Sequence, residues 1–408
     1  MNTLNFQLSR RQFIKLTGSA GLALLLKPHL SNATVISNPL NRRVVFLEMN
    51  GGNDGLNTVI PYSQGRYYDL RPKLAIPEAS VLPLTSQVGL HPALKQLHSR
   101  FQQGQVAILQ GIGHPKPDLS HFAMMEYWRS GHPQGMSATN QTGWLGRVLD
   151  TLAPAQEILS GLSLATSIGP VLANKSAVIA ALTDVDSRPY VPWQYENENK
   201  AIFWPLLNGL TAGNANDPGL LAASKKGMRH SQMALDLLPL LTAGNVTYPD
   251  TETSRLLDLA ARILTMPDVK VLHIPLPMDF DTHSNQAKQQ AANFVELDTA
   301  LDYFLNDLAY RNLADQVIVV MVSEFGRRVA ENKSLGTDHG AASNAFVIGS
   351  KVLGGLYGQQ PSLTDLDADD NLKMSMSYLD LLATVSENWL GVNAQQIVPG
   401  GQKLTLFN

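Results

Sequence analysis

The chain contains no cysteine. That absence removes disulfides, thiolate nucleophiles, cysteine-ligated zinc and iron–sulfur clusters, so any metal must be held by oxygen and imidazole. Ten histidines are available for the second of these. Also missing is a membrane-length apolar run: the N-terminal apolar segment, Leu16 to Leu26, has 11 residues, where a spanning helix needs roughly 20. Neither sign of charge dominates. The first 33 residues hold Arg10, Arg11, Lys15 and Lys27 and no acid, so the remainder carries 27 basic against 34 acidic side chains, a net of −7. A mildly acidic protein offers no electrostatic footprint for nucleic acid.

What is present at the N-terminus is an export pattern. Ser9-Arg10-Arg11-Gln12-Phe13-Ile14-Lys15 is a twin-arginine element, followed by the short apolar segment and a small-residue site, Ser31-Asn32-Ala33. The expectation is a cleaved signal over 1–33, read by the twin-arginine export machinery, and a periplasmic or secreted product without a stable membrane span. That pathway carries folded proteins, which suits a metal loaded inside the cell.

The remainder, 34–408, reads as a single domain. Arg43 to Met49, Val106 to Leu109, Lys270 to Pro275, Gln316 to Val322 and Asn344 to Ile348 are short apolar runs of strand length. Helical patterns alternate with them: His91 to Phe101, the stretch after Ser120, Thr253 to Leu264, the stretch with Phe294, Leu297, Leu301, Phe304 and Leu308, and Ser377 to Leu390. The alternation predicts an α/β fold, a mostly parallel central sheet flanked by helices on both faces. From about 141 to 268 the pattern is mainly helical, with Leu220 to Leu241 among the clearest helices, and reads as an insertion.

Polar residues gather where strands end, the place open α/β sheets put their ligand sites. After the first strand comes the glycine-rich turn Asn50 to Asn57, containing Asp54. It lacks both the Gly-Lys-Ser/Thr of a phosphate loop and the G-x-G-x-x-G spacing. His114 lies in the loop before Ser120-His121. Ser120 is an N-cap candidate and equally a candidate nucleophile, since the unpaired amides of a helix start favour developing negative charge. Asp279, Asp281 and His283 follow another strand, and in extended chain Asp281 and His283 point the same way, so both can reach one ion. Ser323-Glu324 close the late strand, and Thr337-Asp338-His339-Gly340 lie just beyond. Carboxylate with imidazole suits zinc or manganese, and additional oxygens suit magnesium or calcium.

RVVFLEMNGGNDGLNTVIPY, YYDLRPKLAIP, HPKPDLSHFAMMEYWRSG, FDTHSNQ, VSEFGRR and GTDHG, in this order behind a twin-arginine signal, resemble the bacterial domain of unknown function 1501 family over nearly the whole mature chain. That family is similar to the alkaline phosphatase and sulfatase superfamily. The resemblance implies an alkaline-phosphatase-like fold and one or two divalent ions. It implies Asp54 (or Asn50), Asp281 or Asp279, His283, Glu324, Asp338 and His339 as ligands, Ser120 as nucleophile, and His121 or His114 holding the leaving group. The chain departs from the superfamily at Glu324-Phe325, where Asp-His is usual. The function implied is hydrolysis of a phosphate ester, sulfate less so because no C/S-x-P-x-R occurs at Ser120, on a small-molecule or polymer substrate. The alternative is a non-catalytic exported binding or assembly protein that keeps the scaffold and a structural metal. A metal-free serine hydrolase ranks last, because G-x-S-x-G is absent. The oligomeric state is not indicated.

Overall fold

The computed structural model describes residues 41–137, 140–152, 159–183, 209, 221, 225–226, 229–230, 241 and 243–407. The export segment and most of the Leu220–Leu241 helix lie outside the described residues. The strands of the main sheet are β1 (Arg43–Glu48), β2 (Val106–Gly113), β3 (Leu159–Ser163), β4 (Val178–Ala181), β5 (Val271–Pro275), β6 (Val317–Val322), β7 (Ser343–Ile348), β8 (Gly355–Gly358) and β9 (Met376–Ser377). The helices used below are α1 (Lys95–Gln102), α2 (His121–Ser130), α3 (Trp144–Leu152), α4 (Glu252–Ile263), α5 (Gln286–Tyr310) and α6 (Tyr378–Thr384).

The nine-stranded sheet runs β8-β2-β7-β6-β1-β5-β3-β4, with β9 beside β2. β7 alone is antiparallel to its neighbours β2 and β6; the other pairings are parallel. β1 and β6, at the centre, are buried on both faces, as their near-continuous apolar sequences require. One face packs under α1, α4 and α5, the other under α2, α3 and α6. Phe46 meets Trp144 edge to face on the second side, with ring centroids 5.8 Å apart.

Two differences from the sequence expectation stand out. The stretch 141–268 is not a purely helical insertion, because β3 and β4 come from it and extend the main sheet. Their sequences, LSGLS and VIAA, are short and rich in small residues, so they give little strand signal. The closing helix also stops early: α6 ends at Thr384 and continues as a π-helical turn, Val385–Trp389.

The second face contains a buried polar chain. The Glu48 carboxylate, fully buried at the end of β1, accepts from Arg129 Nε at 3.0 Å and Nη2 at 2.6 Å. His273 Nε2 lies 3.2 Å from the same carboxylate, and His273 Nδ1 is 2.9 Å from Ser163 Oγ. Burial opposes ionisation of Glu48, but His273 and Arg129 outweigh it and hold its pKa at about 2, against an ordinary 4.5. With the folded value depressed, the stabilisation is complete above pH 4.5 and is lost as pH falls toward 2. It amounts to roughly 3 kcal/mol at neutral pH. We therefore expect urea midpoints to decline from pH 4.5 to 3, and Glu48→Gln to start lower at pH 7 and decline less steeply.

Candidate metal centre

Four loops at the carboxyl ends of strands build the site. The turn after β1 brings Gly51 and Gly52, at φ +109° and +67°. A Cβ on Gly51 would lie 2.3 Å from Asp281 N, and one on Gly52 would lie 2.3 Å from the Phe325 ring. The glycines are what let this turn sit against both neighbours. Arg327, fully buried, ties the loops together. Its Nε donates to Gly52 O at 2.6 Å, Nη1 to Thr337 O at 2.8 Å, and Nη2 to Gly51 O and to Asp281 Oδ1, the last at 2.6 Å.

Around Asp281 three imidazoles converge. His283 Nε2 is 3.1 Å and His339 Nε2 3.3 Å from Asp281 Oδ1, and these two nitrogens are 3.0 Å apart. His121 Nε2 is 3.6 Å from Asp281 Oδ2. His121, Asp281 and His339 each place a ligand atom within 4.8 Å of the others. Each ring is committed at its other nitrogen. His121 Nδ1 is 2.7 Å from Glu324 Oε1, His283 Nδ1 is 3.2 Å from Asp338 Oδ1, and His339 Nδ1 is 2.8 Å from Leu119 O. A carboxylate or carbonyl oxygen can only accept, so each Nδ1 is a donor, and in the neutral imidazole each Nε2 carries the lone pair. Lone pairs of His283 and His339 therefore face each other and a carboxylate oxygen at 3.0–3.3 Å. That grouping repels itself unless a proton or a metal cation lies among the atoms. Ligands about 2.1 Å from a tetrahedral ion stand about 3.4 Å apart, so the spacing and the donor set both fit.

The surrounding charges agree. Burial would raise the Glu324 pKa, but the His121 hydrogen bond and the backbone amides around Gly51 outweigh it and keep it low. Burial likewise opposes ionisation of Asp281, and Arg327 overrides it. The hydrogen bond to Glu324 is the main cause raising the His121 pKa. The Asn332 hydrogen bond lowers that of Asp338.

Four residues change role. Glu324 and Asp338, expected as ligands, instead face the Nδ1 atoms of His121 and His283, the outer position that fixes a ligand's tautomer and aim. Conversely His121, expected to hold a leaving group, points its Nε2 at the cluster. Asp54 is held elsewhere. Its carboxylate, fully buried, is bonded to Arg71 Nη1 and Nη2, to Leu56 N at 3.1 Å and to Gln286 Nε2, which leaves no oxygen for an ion.

Asp279 Oδ1 accepts from Asp281 N at 2.8 Å, and Asn50 O from Phe280 N at 2.9 Å, so both shape the loop. His114 is buried between Tyr127 and Tyr378, at centroid distances of 4.1 and 5.6 Å. Ser120 caps α2 in position only, since its side chain makes no capping bond. It is flanked by Leu119 and His121, both bonded into the site.

Sequence reasoning missed Arg327. The tandem Arg327-Arg328 beside Glu324 was its available signal.

The family model described as "Protein of unknown function (DUF1501)" matches residues 41–405. The chain belongs to the DUF1501 family. No curated protein matches this DUF1501 chain. Solved structures similar to it include a protein in the alkaline phosphatase superfamily from Vibrio parahaemolyticus, at 11% identity and TM-score 0.40, covering 97% of this chain and 78% of that one. Another is the PsFucS1 sulfatase from Pseudoalteromonas sp., at 11% identity and TM-score 0.41, covering 89% and 70%. A third is the phosphonate monoester hydrolase of Agrobacterium radiobacter, at 11% identity and TM-score 0.37, covering 88% and 78%. Among the described residues, no helix is long and apolar enough to cross a membrane.

Proposed function

We propose that this chain is an exported, metal-dependent hydrolase of phosphate esters, with sulfate esters as the lesser alternative. The observation that carries the reading is the convergence of three Nε2 atoms on Asp281, each ring fixed through Nδ1. His121, His339 and Asp281 would hold one divalent ion, with His283 Nε2, 3.0 Å from His339 Nε2, beside them. Nitrogen-rich donors without sulfur favour zinc or manganese.

When bound, the ion supplies Lewis-acid stabilisation of charge on the ester oxygens. The chain supplies the rest. Ser120 Oγ stands at the start of α2, a ten-residue helix whose first amides favour an anion. It bonds to phosphorus as the bond from phosphorus to the alcohol oxygen breaks, and the alcohol departs with the serine proton. Water then cleaves the phosphoserine and restores the hydroxyl. Arg327 and Glu324 act through other residues, holding Asp281 and His121 in place.

A binding or assembly role remains the second reading, because no base is hydrogen-bonded to Ser120 Oγ among the described residues. The two are separated by metal analysis of purified protein together with p-nitrophenyl phosphate and sulfate assays of wild type and Ser120→Ala. One ion per chain, with phosphate turnover that Ser120→Ala removes, is the expected result. Bound metal without turnover establishes the binding role, and turnover indifferent to Ser120→Ala removes the serine mechanism. Export is checked by fractionating cells that carry wild type or a variant with both Arg10 and Arg11 changed to Lys. Periplasmic protein should disappear in the variant.

A further inference from the structure

Next to the imidazole cluster lies a groove of about 700 Å³, walled by Lys73 and Leu74, by Asn285, Ala287 and Lys288 of the α5 entry, and by Leu335. It adjoins the site through the chain itself. Asn285 is two residues beyond His283. Asn285 N donates to Ser334 O at 3.2 Å and Gln286 N to Leu335 O at 2.9 Å. Asn332 Nδ2 lies 3.0 Å from His283 O and 3.1 Å from Asp338 Oδ1. Two residues of chain span at most about 7 Å. A substrate of a few repeat units therefore reaches both places.

The lining combines apolar walls with two cations. Ala287 and Leu335 offer carbon surface, and Leu335 is 47% exposed, whereas Leu74 is buried. Lys73 and Lys288 are exposed, and among the described residues neither ammonium has a carboxylate oxygen within 4.0 Å. The nearby carboxylate of Glu331 turns Oε2 to the Lys73 and Leu74 amides, at 2.9 and 2.7 Å. On a chain of net charge −3 this is a local reversal of sign. The catalytic end is also open: the side chains of His283 and Asp338 are 47% and 56% exposed. Sites for small ligands enclose most of the ligand; an open one suits an ester borne on a long chain.

We propose that the groove is a second substrate subsite that takes an anionic polysaccharide. Sugar carbons lie along Ala287 and Leu335, and a sulfate or phosphate group beyond the ester at the imidazoles pairs with Lys73 and Lys288. This names the substrate class of the hydrolase reading and rests on that reading only for the fate of the ester.

The test is binding at low and moderate salt of full-length, metal-loaded protein to dextran sulfate, unsulfated dextran and long-chain polyphosphate. Wild type is compared with the double variant Lys73→Glu/Lys288→Glu, whose metal content and melting temperature are confirmed first. Wild type should bind dextran sulfate, weaken as salt rises and ignore plain dextran. The double variant should lose at least about tenfold in affinity. Should the double variant lose its fold, Lys73→Gln and Lys288→Gln singly must each weaken binding. No binding by wild type, or equal binding by the variants, overturns the subsite. Polyphosphate bound more tightly than dextran sulfate overturns the polysaccharide assignment. Dextran sulfate bound without any ester turnover leaves the subsite standing and removes the hydrolase reading.

Discussion

Asp281→Ala is expected to abolish stoichiometric binding of zinc, measured by isothermal titration and by metal analysis after dialysis. Asp281 is the hub of the cluster: one oxygen lies 3.1–3.3 Å from His283 and His339, and the other faces His121. Its removal takes away the only carboxylate in the proposed ligand set. The loss should exceed the ten- to hundredfold that outer partners typically cost, and that smaller range is the expectation for Glu324→Gln, which leaves His121 in place but weakens its aim. Because Asp281 is also the carboxylate partner of buried Arg327, its replacement lowers stability too. His339→Ala is the control, since it spares that ion pair; it too should lose the metal, with little change in urea midpoint. Zinc bound as tightly by both variants as by wild type would show that the ion sits elsewhere or nowhere.

The largest expected loss of stability is at Asp54. Asp54→Ala should destabilise the fold by about 3–5 kcal/mol, because it strands Arg71 as a buried, uncompensated charge. The Arg71 guanidinium also bonds Asn57 Oδ1 at 2.8 Å, Val329 O at 2.9 Å and Arg328 O at 2.8 Å, so the pair joins the turn after β1 to the loop after β6. Chemical denaturation measures the cost. Zinc titration of the same variant, under conditions where it is folded, separates the two roles this residue has been given. One zinc per chain at wild-type affinity is the result expected of a structural Asp54. Loss of zinc from a folded variant would return it to the ligand set.

How far the sequence could be read followed the range of the interaction concerned. β1 and β6 are legible because a strand buried on both faces is apolar along most of its length; in β1 only the terminal Arg43 and Glu48 interrupt the run. β3 and β4 escape because Ser, Gly and Ala fit a sheet without announcing it. At the site, Asp281 and His283 are two residues apart in extended chain, and Asp338 and His339 are adjacent; their chemistry shows locally. The partition of roles does not. Whether a carboxylate binds an ion or a histidine's second nitrogen depends on contacts such as His121 to Glu324, separated by 203 positions. Asp54 looked like a ligand for the same reason. Its neighbours in sequence are right for one; besides the local Leu56 amide, it is Arg71 and Gln286, arriving in space, that use up its oxygens.

By itself, then, the sequence determined that metal chemistry here must be nitrogen and oxygen chemistry, that the scaffold is an α/β sheet, and which loops carry the polar residues. Composition and local periodicity suffice for those, being properties of single segments. The tertiary structure alone decided which side chains share one space, that three imidazoles turn their Nε2 atoms toward Asp281, and that Arg327 and Glu324 hold them there. Those facts depend on the relative placement of four strand ends, which strand pairing and burial fix only when the whole sheet is assembled.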